Sequence, residues 1–359
     1  MRFDYEGDIL KTIDVLNAYV DDGLSGFSDD SNDGRADRCV DEIGTVLPIE
    51  NQGIPRSFLG MSLTFRENIC HAYQPYLIDQ IVNLMGCKDA KPTLTPLKFN
   101  FDIPVNTGPA HPGFTNVPYN RIIGMMNFLS SCTRPDITNA VRTLASHTLN
   151  PSKRAWIQLQ NTAQYLNTTR NWGICFGLLS PFEFPGIDQN HPTDQNAFTT
   201  FADSDHAKDE TDRVSVSGFV SLFCGSPINW GSKKQTGTVA LSSMEAEVIA
   251  GCNGIKDAHW IRKMWNEFEG QKLTINIGID NQAAIYFGNA DADHSRAKHI
   301  DIRYYFIKNA VRSNTVKLWY CPTEYNPADL FTKPLRPDRH LMLMQLVGMR
   351  QIEEVCQDD

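Results

Sequence analysis

The stretch 242–268, SSMEAEVIAGCNGIKDAHWIRKMWNEF, decides how the second half of the chain is organised. Its apolar residues recur at helical spacing over a length no strand reaches, and it contains no proline, so it reads as one long helix. Three strand-like runs precede it: FTTFAD (198–203), SVSGFVSLFCG (215–225) and PINWGSKKQT (227–236), joined by short connections. A strand, LTINIGID (273–280), and a short helix, NQAAIYFG (281–288), follow it. A helix, DIRYYFIKNAVR (301–312), a strand, TVKLWYC (315–321), and a last helix opened by NPADLFTK (326–333) complete the region. Three strands, helix, strand, helices, strand, helix is best satisfied by a mixed five-stranded sheet with helices packed on its faces.

That order places acids together. Asp203 closes the first strand and Asp280 the fourth, and strand ends of an α/β sheet converge on one crevice. On the long helix, Ser242-Ser243-Met244-Glu245 fits a capping box, which assigns Glu245 to the helix start and leaves Glu247 free. One turn on, Ala250 and Gly251 are small enough for close approach to the sheet. Asp329 follows Asn326 as N-cap and Pro327 at the first helical position. Each acid has a plainer reading. Asp203 and Asp205 serve as turn formers, Asp280 as an N-cap, and Asp329 as a first-turn residue favoured by the helix dipole. Their joint placement favours a shared role, because carboxylates converging without basic partners require a cation. Hard oxygen ligands point to Mg²⁺ or Mn²⁺, and two such ions suit phosphodiester hydrolysis.

The whole chain bounds the classes. It has 359 residues, 41% hydrophobic and 21% charged, the composition of a globular protein with room for two or three domains. No apolar run reaches a membrane span and the N-terminus has no signal-peptide pattern, so no membrane partner is expected. Nine dispersed cysteines without a C-x-x-C pair suggest reduced thiols and no zinc module. The formal charge of −9 argues against a surface that coats nucleic acid throughout, but not against a local basic groove. Such a strip exists in HSRAKHIDIR (294–303), with Arg296, Lys298, His299 and Arg303 as phosphate-contact candidates against the alternative of a solvated helix face.

The first half reads as a strand pair over 9–27, a polar acidic loop (27–38), a strand SFLGMSLTF (57–65) and a helix QPYLIDQIVNLMG (74–86). Three helical patterns follow at 118–131, 135–149 and 151–167. Proline-rich stretches at 91–117 and 181–197 read as linkers.

FADSDHAKDETDRVSVSGFVSLFCGSPINWGSKKQTGTVALSSMEAEVIA, IDNQAAI, HSRAKHIDIRYYFI and NPADLFTKPL resemble the RNase H domain of copia-type LTR retrotransposon Pol polyproteins. Upstream, AYVDD, FLGMSL, QPYLIDQI, YNRIIGMMNFLSSCTRPDITNAV and NPSKRAW resemble the end of the matching reverse transcriptase. The resemblance covers nearly the whole chain. It implies a mixed α+β and α/β protein: a partial polymerase palm with the YVDD hairpin and the start of the thumb (1–90), a linker (91–117), a helical thumb or connection (118–180), a linker (181–197), an RNase H-like domain (198–340) and a tail (341–359). It implies cleavage of the RNA strand of RNA–DNA hybrids, with Asp203, Glu247, Asp280 and Asp329 holding two Mg²⁺ or Mn²⁺ ions. Asp21 and Asp22 resemble two of the three metal-binding aspartates of a polymerase. With the third expected about a hundred residues upstream by family analogy, the polymerase site reads as incomplete. A silent remnant that at most binds nucleic acid is the alternative to the nuclease, and an active polymerase the alternative if the reading frame extends upstream. The implied partners are an RNA–DNA hybrid and remaining polyprotein segments, and the implied setting is a cytoplasmic particle or the nucleus. Departures sit beside the site: Met244, Val248 and His206 stand where the family more often has Thr, Tyr and Trp, and 315–328 contains no histidine before the last acid.

Overall fold

The structure is a computed structural model that describes residues 2–6, 9–19, 22–27, 35–46, 53–66, 69–108, 118–177, 198–205, 214–223, 225–236, 240, 242–269, 273–289 and 298–353. The chain starts with an antiparallel sheet of β1 (Arg2–Glu6), β2 (Ile9–Tyr19) and β3 (Asp22–Phe27). Tyr19 pairs with Asp22 where β2 and β3 run antiparallel. Asp21 lies outside the described residues, and Asp22 opens β3. The acidic stretch expected as a loop to residue 38 gives way at Arg35 to α1 (Arg35–Gly44).

The single strand expected over 57–65 is a hairpin. β4 (Ser57–Phe58) turns back onto β5 (Met61–Arg66) through Leu59 and Gly60, both at positive φ, 46° and 76°. Two consecutive left-handed residues make the tight turn whose twist matches a hairpin, and Gly60 carries the second at no steric cost. β6 (Ile69–Tyr73) continues this sheet. α2 (Pro75–Met85) has Pro at its start and ends at Gly86 in the left-handed conformation, as the sequence indicates. α3 (Tyr119–Cys132), a 3₁₀ turn at Pro135–Ile137 that leads into α4 (Thr138–Ala145), and α5 (Lys153–Thr168) match the three helical patterns. Ser152 caps α5 by accepting from the Ala155 N–H at 3.1 Å. β7 (Trp172–Phe176), which the sequence reading passed over, joins β6.

The second unit follows the expected order. β8 (Phe198–Asp205), β9 (Val216–Phe223) and β10 (Ser226–Lys234) form an antiparallel meander. α6 (Ser243–Glu269) crosses to β11 (Ile275–Ile279), α7 (Gln282–Asn289) and α8 (Lys298–Arg312) lead to β12 (Val316–Tyr320), and a 3₁₀ turn spans Pro327–Phe331. The sheet order is β10-β9-β8-β11-β12, with β11 parallel to both β8 and β12. This is the RNase H-like arrangement: an antiparallel meander extended by two parallel strands through helical crossovers. Val248, Cys252, Ile255 and Ala258 of α6 pack with Ile275, Ile277 and Ile279 of β11 and Ile307 and Ala310 of α8. Full burial of each valine or isoleucine side chain here contributes about 1.5–3 kcal/mol.

Two findings differ from the expected boundaries. The last helix does not start at Pro327: Asp329 sits in the 3₁₀ turn, and α9 runs Pro337–Leu346. Residues 341–359, expected as a tail, hold the end of α9 and β13 (Met349–Gln351), which pairs antiparallel with β7. The chain thus returns to close the sheet β13-β7-β6-β5-β4. A buried polar cluster ties the same halves together. Arg134 meets Asp136 at 2.7 Å, both fully buried, and the Tyr165 hydroxyl donates to Asp136 at 2.6 Å and lies 3.0 Å from His340 Nε2 of α9. Apolar packing is continuous across this junction, from Ile122 and Leu159 to Phe331 and Leu343.

Candidate active site

Asp203 lies near the end of β8, only 1% exposed. Opposite it on β9 stands Gly218. A Cβ there would lie 2.7 Å from Phe331 Cβ and from Thr332 Cγ2, and 2.9 Å from the Ala328 carbonyl. The absence of that side chain lets the turn bearing Asp329 rest on the sheet beside Asp203. Asn326 fixes this turn from both sides: its Oδ1 accepts from the Ala328 N–H at 3.1 Å, and its Nδ2 donates to the Ala202 carbonyl at 3.0 Å. The sequence placed this cap correctly, and the structure adds the tie to β8.

The long helix separates its two acids as its start dictates. The Glu245 N–H donates to Ser242 Oγ at 3.1 Å, the serine half of the capping box. Glu247, two residues on, turns to the sheet. Its Oε1 accepts from the Ser204 N–H at 3.2 Å and the Ser204 hydroxyl at 2.8 Å. Its Oε2 is buried without a protein hydrogen-bond partner. Asp280, just past β11, accepts from the Thr323 hydroxyl at 2.9 Å. α6 lies close to the sheet here, with the Cβ positions of Gly251 and Gly254 within ordinary contact distance of Ile279 and of Thr200 and Ala202.

Asp203, Glu247 and Asp280 each offer a carboxylate oxygen, and the three oxygens lie within 4.8 Å of one another. Burial, then the Asp329 carboxylate, pushes Asp203 up to about 7, partly opposed by Lys333. Burial, then Asp203 and Asp280, pushes Glu247 up to about 9. Asp280 is raised by burial and by Asp203. Three acids that repel one another, Asp203 and Glu247 buried and Asp280 half-buried, one with an orphaned oxygen, fit a hard divalent cation.

Asp329 differs. The expectation that these acids converge without basic partners is overturned here. Lys333 Nζ lies 2.7 Å from Asp329 Oδ1 and 3.5 Å from Asp203 Oδ2, and Arg339 pairs with the other Asp329 oxygen. Burial by itself lowers the Lys333 pKa, but the Asp203 and Asp329 carboxylates outweigh it and hold it above its ordinary value. Thr332 donates to Asp203 Oδ2 at 2.5 Å. Lys333, Arg339, Thr332, Thr323 and Ser204 are the site residues the sequence reading missed. A signal existed for Lys333 alone, which follows Asp329 by four residues in NPADLFTK.

Of the basic strip, Arg296 lies outside the described residues, whereas Lys298 and His299 open α8 and Arg303 follows in its second turn. α8 packs on α6, where the Cys252 thiol donates to the Arg303 carbonyl at 3.4 Å. No helix among the described residues is long and apolar enough to cross a membrane.

No protein-family model matches the chain. Curated relatives do. The chain is 29% identical over 342 residues to the retrovirus-related Pol polyprotein from transposon TNT 1-94 of Nicotiana tabacum, covering 93% of this chain and 24% of that protein. It is 30% identical over 348 residues to the Pol polyprotein from transposon RE2 of Arabidopsis thaliana, covering 96% and 22%. The chain thus spans about a quarter of the length of these relatives. Among solved structures, LC11-RNase H1 aligns over 38% of this chain and 93% of its own at 13% identity, TM-score 0.31. A foamy viral protease-reverse transcriptase in complex with RNA/DNA hybrid aligns over 86% and 36% at 14% identity, TM-score 0.45. The shared sequence, running over 93–96% of this chain, shows that the chain belongs to the retrovirus-related Pol polyproteins of transposons.

Proposed function

We propose that residues 198–340 form a ribonuclease H that hydrolyses the RNA strand of an RNA–DNA hybrid, attached to reverse-transcriptase-derived sequence that includes the YVDD pair Asp21 and Asp22. The observation that carries this reading is the cluster of Asp203, Glu247 and Asp280 with its buried, unpartnered Glu247 oxygen. Asp203, Glu247 and Asp280 would hold Mg²⁺ or Mn²⁺, with Asp329 beside them toward a second ion. When bound, such ions lower the pKa of water and stabilise the leaving oxygen in phosphodiester hydrolysis.

The chain's own groups support that chemistry. Ser204 orients Glu247, Thr323 orients Asp280, and Thr332 orients Asp203. Lys298, His299 and Arg303 on α8, with Arg296 before it, supply phosphate contacts that position the hybrid. The 2′-hydroxyl of the RNA strand distinguishes it from DNA.

The test is a side-by-side cleavage assay on a labelled hybrid in Mg²⁺ and Mn²⁺. Asp203→Asn and Glu247→Gln should abolish cleavage and Glu245→Gln should retain it. Activity in Glu247→Gln with none in Glu245→Gln would reverse the assignment of the helix. A folded wild type that cuts nothing in either metal would establish the silent remnant.

A further inference from the structure

The four acids do not form one uniform cage. Asp203, Glu247 and Asp280 bring carboxylate oxygens within 4.8 Å of one another, while the two oxygens of Asp329 form ion pairs with Lys333 and Arg339. Lys333 also reaches Asp203 at 3.5 Å, so its ammonium is shared between the Asp203 and Asp329 carboxylates, where a second cation would compete with it. Charge agrees with this division. With all four carboxylates ionised, as metal binding requires, Lys333 and Arg339 leave two negative charges, which one divalent cation balances. Lys333 comes from a rigid support, four residues beyond Asp329 and next to Thr332, which itself holds Asp203. Its side chain is 22% exposed and carried on a flexible stem, so it has a path to swing into solvent.

We propose that the Lys333 ammonium is a built-in counter-cation for the Asp203–Asp329 side of the site, so that the resting protein takes one divalent ion on Asp203, Glu247 and Asp280 and a second only by displacing Lys333. The proposal rests on the metal-site reading above and adds a positioning residue and an order of binding to it. Lys333 keeps Asp203 and Asp329 together before the second ion arrives. Removing its charge should make the second position more attractive to a cation, since a like charge a few ångströms away no longer opposes entry.

The experiment is Mn²⁺ titration of the full chain, followed by calorimetry and by the electron paramagnetic resonance of free Mn²⁺. The wild type should bind one ion tightly and a second more weakly. Lys333→Met should bind the second ion on the order of tenfold tighter or more, and Lys333→Arg, which keeps the charge, should reproduce the wild-type isotherm. Glu247→Gln should lose the tight ion. Two equal sites in the wild type, or a Lys333→Met isotherm like that of the wild type, would overturn the proposal. If the hybrid is still cut in that case, the nuclease reading stands and only the role of Lys333 falls. No Mn²⁺ binding and no cleavage by folded protein would overturn both.

Discussion

Glu247→Gln should remove the metal function and at the same time stabilise the metal-free protein. Gln has the same shape, so its Oε1 still accepts from the Ser204 N–H and hydroxyl. Its Nε2 replaces the buried oxygen that has no partner and gains acceptors in the neighbouring carboxylates. Two routes give the size of the effect. If Glu247 stays ionised, two unit charges no more than 4.8 Å apart repel by about 3 kcal/mol or more at an effective dielectric near 20. If it takes up a proton instead, a group raised from 4.5 to about 9 is protonated at neutral pH, and that costs about 3 kcal/mol relative to the unfolded chain. Removing either cost, less imperfect geometry, predicts a gain of about 1–3 kcal/mol and a melting temperature higher by roughly 3–10 °C for a domain of this size. The wild type should gain stability on addition of Mg²⁺ or Mn²⁺ by mass action, and the variant should not. The assay is thermal unfolding of both proteins in chelator and in each metal, with hybrid cleavage alongside. A Glu247→Gln protein that is less stable than wild type in chelator, or that still responds to metal as the wild type does, would refute the reasoning.

Other consequences follow from the same contacts. Asp203 and Glu247 are both raised, so their share of metal-free stability is fully present below the ordinary carboxylate range. It is lost as pH rises through about 7 and then about 9, and the melting temperature in chelator should fall across that window while bound metal reverses the fall. Gly218→Ala touches no carboxylate, yet its Cβ would press on Phe331, Thr332 and Ala328. It should displace the Asp329 turn and sharply reduce cleavage, with far-ultraviolet circular dichroism unchanged. Arg134→Met leaves Asp136 buried without its cation and should cost about 3–5 kcal/mol in urea unfolding, whereas replacing both residues by apolar ones should cost less. Arg303→Ala should weaken hybrid binding similarly across sequences and lower the salt slope by about one unit.

The sequence by itself determined the local elements and the line-up of acids. The period of 242–268, the proline and glycine that bound α2, and the Asn326 cap ahead of Asp329 are short-range signals; the structure keeps the first two as helices and makes the third a 3₁₀ turn instead of a helix start. Strand ends and a capping box were enough to separate Glu245 from Glu247, because both rules depend on neighbours a few residues away. What lay in long-range pairing was not legible. β13 has three residues and no pattern of its own; it is a strand because β7, far earlier in the chain, offers an open edge. Leu59 and Gly60 mark a turn only once β4 and β5 pair across them. The charge balance of the site was likewise decided by tertiary structure. The spacing of Lys333 from Asp329 suggests that pair but not its reach to Asp203, and Arg339 belongs to a helix that the sequence does not separate from the last turn. Folding the 3₁₀ turn onto Gly218 brings both cations to Asp329 and one of them to Asp203. Coulomb interactions act through space across the sheet, so which acids remain uncompensated is settled by where the turn lands, not by spacing along the chain.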